Sequence, residues 1–257
     1  MRAGLPNMRT SSVTSFFARR RFRPRFVPTV AMVGFVALTI ALGNWQRHRA
    51  QEKDALAATF AAALREPSVP LPLRDDEALA LRFRTVRATG RYEASQQILI
   101  DNKVHAGRVG FEVVAPLRLA PSGRCVLVDR GWVAQGASRS ALPDVPAPAE
   151  TVTVTGRVNL PPQRYLELGS QHNAGRLWEN LDVRRLATAT GLDLLPIVVE
   201  QTDPVVPPDP LLRDWSPPDS GSQQNVSYMV QWYSFGALAI ILWLALNWRE
   251  REAENDR

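Results

Sequence analysis

The chain has 257 residues, 31 basic against 25 acidic, for a formal net charge of +6, and one cysteine, Cys125. Residues 1–25 hold seven arginines and no acid, and residues 249–257 contribute −1, so everything between is neutral. The basic pI is therefore no sign of a nucleic-acid surface, and one cysteine excludes an internal disulfide and Cys-x-x-Cys chemistry.

The basic start, residues 1–25, carries Arg2, Arg9, Arg19, Arg20, Arg21, Arg23 and Arg25. It is followed by an uncharged run from Val27 to Trp45, close to the roughly 20 apolar residues that cross a ~30 Å hydrocarbon core. A secretory signal has a shorter apolar stretch and a small-residue cleavage site; here the run ends in Trp45-Gln46-Arg47. Residues 26–45 are thus read as the first transmembrane helix. The arginines keep the N-terminus in the cytoplasm by the positive-inside rule. An Arg-rich, acid-free start also resembles a mitochondrial transit peptide. The expected location is a bacterial inner membrane, with the mitochondrial inner membrane as the alternative.

Past Trp45 the pattern stays helical. Leu56, Phe60 and Leu64 share one face, and Trp45, Arg49 and Lys53 another. This predicts a helix continuing to about Arg65, before Pro67, with PSVPLP (67–72) as a linker. Strand candidates follow at Leu81–Thr89, Gln97–Ile100, Val109–Val113 before Pro116, Cys125–Val128, Thr151–Val158 and Ile197–Glu200. In TVTVTGRV, Val152 and Val154 take one face and threonines the other. Cys125, in CVLV, reads as a small buried hydrophobe. A short helix over Val183–Thr190 ends at Gly191. Pro143–Pro148 and Pro204–Pro218 read as extended connections.

The second apolar run, Met229 to Trp248, has aromatic ends typical of the lipid–water interface. It is read as transmembrane helix 2 (229–248), returning residues 249–257 to the cytoplasm. Residues 46–228 then form one extracytoplasmic domain. The fold class is membrane α+β: two transmembrane helices flanking a mainly antiparallel β domain, an open sheet or a partly closed barrel.

No phosphate-binding loop, nucleophile elbow, His-Glu-x-x-His or dinucleotide fingerprint is present. His48, His105 and His172 lie far apart, with no two at metal-ligand spacing. The chain is therefore read as a non-enzyme with no catalytic residue and no metal site. Four clusters stand out instead: Leu42–Gln46 with Arg49 and Lys53; Val126–Val133 with Arg130 and Trp132; Leu177–Asp182; and Asn225–Tyr233 with Tyr228, Gln231 and Trp232. Interface anchoring accounts for Trp45, Trp232 and Tyr233. It accounts less well for Gln46 and Gln231, since amides near a bilayer edge need hydrogen-bond partners. Trp45 and Gln46 are accordingly expected close to Tyr228, Gln231 and Trp232.

These clusters resemble the Surfeit-locus (Surf-one) family of cytochrome c oxidase assembly factors. The resemblance runs through Leu42-Gly43-x-Trp45-Gln46 with Arg49, Gly90-Arg91-Tyr92, Gly107, Gly110 and Pro116, Arg130–Val133, and Tyr228-x-x-Gln231-Trp232-Tyr233, in order. It implies a non-enzymatic role in maturing haem-copper oxidases by helping haem a reach the catalytic subunit. The implied cofactor is transient haem a. The implied partners are cytochrome c oxidase subunit I, haem A synthase and the bilayer, with no nucleic acid. Many members carry a histidine where this chain has Asn225. Direct haem ligation would then fall to another residue, with His48, one turn beyond Trp45, as the candidate; the alternative is that His48 is an exposed helix residue and no iron bond forms. Trp45, Gln46, Arg49, Arg130, Trp132, Tyr228, Gln231 and Trp232 are the candidate partner or helix-pairing residues. The competing functional classes are a structural or sensory membrane protein whose β domain binds another ligand, and a membrane-anchored enzyme.

Overall fold

A computed structural model describes residues 20–136, 142–161, 173–204, 208–218 and 221–250. In chain order the elements are β1 (Arg20–Phe22), α1 (Phe26–Ala63), β2 (Val69–Pro70), α2 (Asp75–Ala80), β3 (Thr85–Tyr92), β4 (Ile98–His105), β5 (Arg108–Leu119), β6 (Cys125–Ala134), β7 (Thr151–Asn159), β8 (Asn173–Ala174), β9 (Leu177–Trp178), α3 (Val183–Thr190), β10 (Leu194–Gln201), α4 (Ser222–Asn247) and β11 (Trp248–Glu250). They divide into a helical unit, residues 1–56 with 219–257, and a β unit, residues 57–218.

The helical unit is an antiparallel pair. α1 has 38 residues, about 57 Å at 1.5 Å per residue, and α4 has 26. Both are long and apolar enough to cross a membrane. Val30, Val33, Leu38, Leu238, Ile241 and Leu246 are exposed, as side chains solvated by lipid would be. At one end β1 and β11 pair antiparallel, from Arg20–Glu250 to Phe22–Trp248. Beside them the Arg23 amide donates to the Asn247 carbonyl at 3.0 Å, and Trp243 Nε1 donates to Thr29 Oγ1 at 3.0 Å. Midway, a Cβ on Gly236 would come within 2.7 Å of Thr39 Oγ1, so glycine sets the helix spacing there.

In the β unit, the strands β3-β7-β10-β6-β5 form a ring, because β3 also pairs with β5. The closing seam is Gly90–Leu119, Arg91–Arg118 and Tyr92–Leu117. The ring is antiparallel except for β10 against β6. β5 has twelve residues and pairs with β6 along most of its length, with β4 at its start and β3 at its end. β9 and β8 extend the sheet beyond β4, and β2 adds to β3. The inward faces supply Val86, Leu117, Val128, Val154, Ile197 and Val199 to the core. α3 covers a second cluster, with Leu186 against Ile100, Leu127 and Trp178. Its N-cap is Asp182, whose carboxylate accepts from the Arg185 amide at 3.0 Å, and Gly191 ends it at φ 69°.

Several boundaries differ from those read from sequence. α2 falls between the linker 67–72 and the first strand candidate, where the sequence reading places no element; its first turn is Asp75-Asp76-Glu77, which complements the helix dipole, and Ala78 is fully buried. β3 starts at Thr85 rather than Leu81, because Phe83 has a positive φ of 69° that breaks the extended run. β5 passes through Pro116 instead of stopping before it. Pro116 offers no N–H, but its carbonyl accepts from the Glu93 amide at 2.9 Å. α1 ends at Ala63, close to the expected Arg65, whereas α4 begins at Ser222, before Met229.

Candidate functional site

The helical unit holds a polar cleft just beyond its apolar runs, where α1 carries Arg47, Arg49, Glu52 and Lys53. Gln46 on α1 is buried, and its Oε1 accepts from Asn225 Nδ2 on α4 at 2.7 Å. Two turns along, the Tyr233 hydroxyl donates to Asn44 Oδ1 at 2.9 Å. The Tyr233 ring lies over Gly43, where a Cβ would fall 2.4 Å from Cε1, so only glycine admits the ring in this position. The Gln46–Asn225 pair lines a cavity of about 560 Å³. Its lining includes Trp45, Gln46, His48, Arg49, Asn225 and Tyr228. Arg49 is exposed and pairs with Glu52 at 3.1 Å, so the cationic wall is partly neutralised. His48 and Trp45 are also exposed.

The structure therefore brings five of the expected residues, Trp45, Gln46, His48, Arg49 and Tyr228, to one cleft and leaves Gln231, Trp232, Arg130 and Trp132 out of it. Gln231 is exposed, and the Trp232 ring packs edge-on against Phe235 on its own helix, with centroids 5.9 Å apart. The partner of Gln46 is Asn225 rather than Gln231. With cysteines at Gln46 and Asn225, a short bifunctional reagent should cross-link the two helices. The same reagent should fail with cysteines at Gln46 and Gln231. The reverse pattern would contradict this pairing. Such an amide bond contributes ~0.6–2 kcal/mol, so it sets helix rotation more than affinity.

Arg130 and Trp132 are placed elsewhere, inside the β unit, and belong to no helix. Arg130 is 2% exposed. Its Nη1 donates to Gln97 Oε1 at 2.7 Å and to the Val145 carbonyl at 3.3 Å, and its Nη2 donates to the Pro146 carbonyl at 3.1 Å. It also lies 3.6 Å from Asp209 and over the Tyr92 ring at 5.5 Å. Burial lowers its pKa from the ordinary arginine value. Gly131 follows at φ 136°, where a Cβ would meet the Leu212 carbonyl at 2.8 Å. The Trp132 amide and carbonyl exchange two 2.8 Å bonds with Leu212, and its indole donates to the Lys103 carbonyl at 2.8 Å and stacks on His105. The Arg-Gly-Trp run is thus a clamp: it pins both proline-rich connections, 142–148 and 208–218, to β6. Residues of these types suit partner contact in a sequence, but here their donors are spent internally.

Sequence reasoning did not single out the polar patch beside this clamp. Arg157 Nε donates to Glu200 Oε2 at 2.8 Å, and Asn159 Nδ2 donates to the other carboxylate oxygen at 2.6 Å. The Arg157 guanidinium also lies over the Phe60 ring at 4.7 Å. Next to it, burial first and then the Glu112 carboxylate push the Asp129 carboxyl well above the usual range. Its Oδ1 accepts from the Gly131 amide at 3.3 Å. Only the alternation of the strands, which puts 129, 157 and 200 on neighbouring positions, could have hinted at this patch. His172 lies outside the described residues.

Comparison with known proteins bears on the helical cleft and the clamp together. The model of the SURF1 family matches residues 33–237, from within α1 to within α4. The chain belongs to the SURF1 family. It is 26% identical over 229 residues to a SURF1-like protein of Monosiga brevicollis, covering 84% of this chain and 86% of that protein. An uncharacterized SURF1-like protein of Mycobacterium bovis is 29% identical over 230 residues, covering 82% and 79%. Surfeit locus protein 1 of Takifugu rubripes is 25% identical over 232 residues, covering 81% and 92%. At family level the protein is a SURF1-type assembly factor, built as two apolar helices flanking a β domain.

Proposed function

We propose that this SURF1-family protein assembles cytochrome c oxidase by helping haem a reach catalytic subunit I, with haem A synthase as the source of the cargo. The observation that carries the reading is the polar cleft at Gln46 and Asn225, at the end of two helices whose adjoining runs are long and apolar enough to cross a membrane. Haem a is amphiphilic, with a long apolar tail that free water would not hold. A polar recess at the edge of an apolar helix pair suits such a cargo: the tail keeps to the hydrocarbon and the polar edge meets side chains. Asn225 has no imidazole, so it can orient a polar edge but cannot replace a histidine ligand. His48 lines the same cavity and has a ring nitrogen to offer. The seven N-terminal arginines support an orientation with both termini in the cytoplasm and the β domain in the periplasm of a bacterial inner membrane.

The test has two arms. In a deletion strain the terminal oxidase should lose haem a absorbance and active subunit I, and both should return with the wild-type gene. An unchanged oxidase spectrum would sink the assembly reading. For the cargo, the full chain is co-expressed with haem A synthase, purified, and its spectrum recorded with and without His48→Ala. Haem that disappears with the substitution assigns the ligand. Stoichiometric haem that survives it eliminates His48. No haem in either form leaves assembly without direct ligation.

A further inference from the structure

The β unit contains a half-open cavity of about 740 Å³, within the range of ligand pockets. Its floor comes from β3, β7 and β10, and its walls come from the two proline-rich connections, which Arg130 meets at Val145, Pro146 and Asp209. Among the described residues five buried side-chain polar atoms lack a hydrogen-bond partner, and three of them belong to residues that line this one cavity: Tyr92 OH, Gln201 Oε1 and Asp203 Oδ1. Tyr92 is 7% exposed and Gln201 4%. A buried polar atom without a partner costs about 1–3 kcal/mol, so three in one place mark a surface shaped for something that supplies the missing bonds.

The chemistry of the missing group follows from the atoms. The amide and carboxylate oxygens can only accept, so the ligand must donate. Burial holds the Tyr92 hydroxyl neutral, well above its ordinary pKa, leaving a lone pair for a cation. Charge points the same way. Among the described residues four carboxylates, Asp144, Glu150, Asp203 and Asp209, line the cavity against one guanidinium, that of Arg130. Arg130 does not spoil the balance, because its donors go to Gln97, Val145 and Pro146, and Asp209 answers it and Arg213. Among the described residues Asp144, Glu150 and Asp203 make no ion pair.

We infer that this cavity is a binding site for a cationic hydrogen-bond donor, a guanidinium or ammonium group. The group enters past Asp144 and Glu150 at the rim and donates to Asp203 and Gln201 at the floor. Charge-assisted bonds to a carboxylate are about twice as strong as neutral ones, which makes Asp203 the main determinant. The cation can come from a free polyamine or from a basic side chain on an extended polypeptide. The site is separate from the cargo cleft and stands or falls independently of haem handling.

The purified full-length protein in detergent is titrated with three probes: spermidine, a capped peptide with one arginine, and the same peptide with citrulline for arginine. Calorimetry should show binding of at least one cationic probe and at least tenfold weaker binding of the citrulline peptide. Asp203→Asn and, separately, Gln201→Leu should each weaken the cation by about tenfold, the equivalent of ~1.4 kcal/mol. Circular dichroism establishes that the variants are folded, and Glu150→Gln at the exposed rim gives a third variant with little risk to the core. A preference for the peptide identifies the source as a partner chain, and a preference for spermidine a free amine. Failure of both cations to bind the wild type, equal binding of the citrulline peptide, or binding unaffected by all three variants would each overturn the assignment.

Discussion

Arg130→Met should destabilise the protein by about 3–5 kcal/mol, the range expected when one partner of a buried charged network is removed. At 2–4 °C per kcal/mol for a chain of this size, the thermal midpoint should fall by roughly 6–20 °C. Methionine can fill much of the volume, so the loss is mainly polar. Gln97 Oε1 and the Val145 and Pro146 carbonyls lose their donor. Asp209 keeps a 2.6 Å bond from Arg213, which holds the effect below that of a fully stranded carboxylate. Arg130→Lys should recover only part of the loss, because a lysine has three donors on a point charge and cannot span a side-chain amide and two carbonyls as the planar fork does. The damage should be local as well as global. The connection 142–148 should become more sensitive to protease in the variant, since two of the bonds that tie it to β6 are gone. Equal midpoints and equal proteolysis in wild type and Arg130→Met would show that the clamp does not carry the fold.

The clamp also illustrates what a sequence can and cannot reveal. Arginine and tryptophan beside an apolar strand look like a contact surface, because those residues dominate interfaces. What turns them inward is non-local: Val145 lies 15 positions from Arg130 and Gln97 33, Asp209 and Leu212 come from a connection much farther along the chain, and no local pattern announces their arrival. The elements with a local signature were legible. Thr151–Asn159 alternates because one face of β7 is core, with Val154 buried and Thr153 bonded across to Thr89 in solvent. α3 is legible because its stop, Gly191, needs φ > 0. β5 was cut short because proline normally ends a strand, and only the arrival of the Glu93 amide at its carbonyl reconciles Pro116 with the sheet. In the helical unit the two polar clusters were legible as a meeting place, but not the register. Choosing Asn225 over Gln231 as the partner of Gln46 requires the rotation of both helices, which Gly43 under Tyr233 and Gly236 over Thr39 fix.

Gly90→Val should open the barrel at its closing seam and cost about 3 kcal/mol, the upper end for overpacking a well-packed core. Gly90 is buried where β3 faces β5 on one side and β7 on the other, opposite Leu119 and Val152. A Cβ there would sit 2.1 Å from the Arg118 carbonyl oxygen and 2.8 Å from its carbon. Both are backbone atoms, so no rotamer change relieves the clash, and the strands must part. Parting them breaks the three-residue pairing that closes the ring and uncovers Leu117 and Leu119. Hydrogen exchange gives a local readout. The Glu93 amide, bonded to Pro116 at 2.9 Å, and the Ala120 amide, bonded to Thr89 at 3.2 Å, flank the seam. Both should lose protection in the variant before amides of the β5–β6 ladder do. Gly136→Ala is the control: a Cβ there meets nothing within 4 Å, so its stability should stay within about 0.5 kcal/mol of wild type. If Gly90→Val kept both the wild-type midpoint and the protection of Glu93 and Ala120, β3 would not be held against β5, and the ring would be an open sheet.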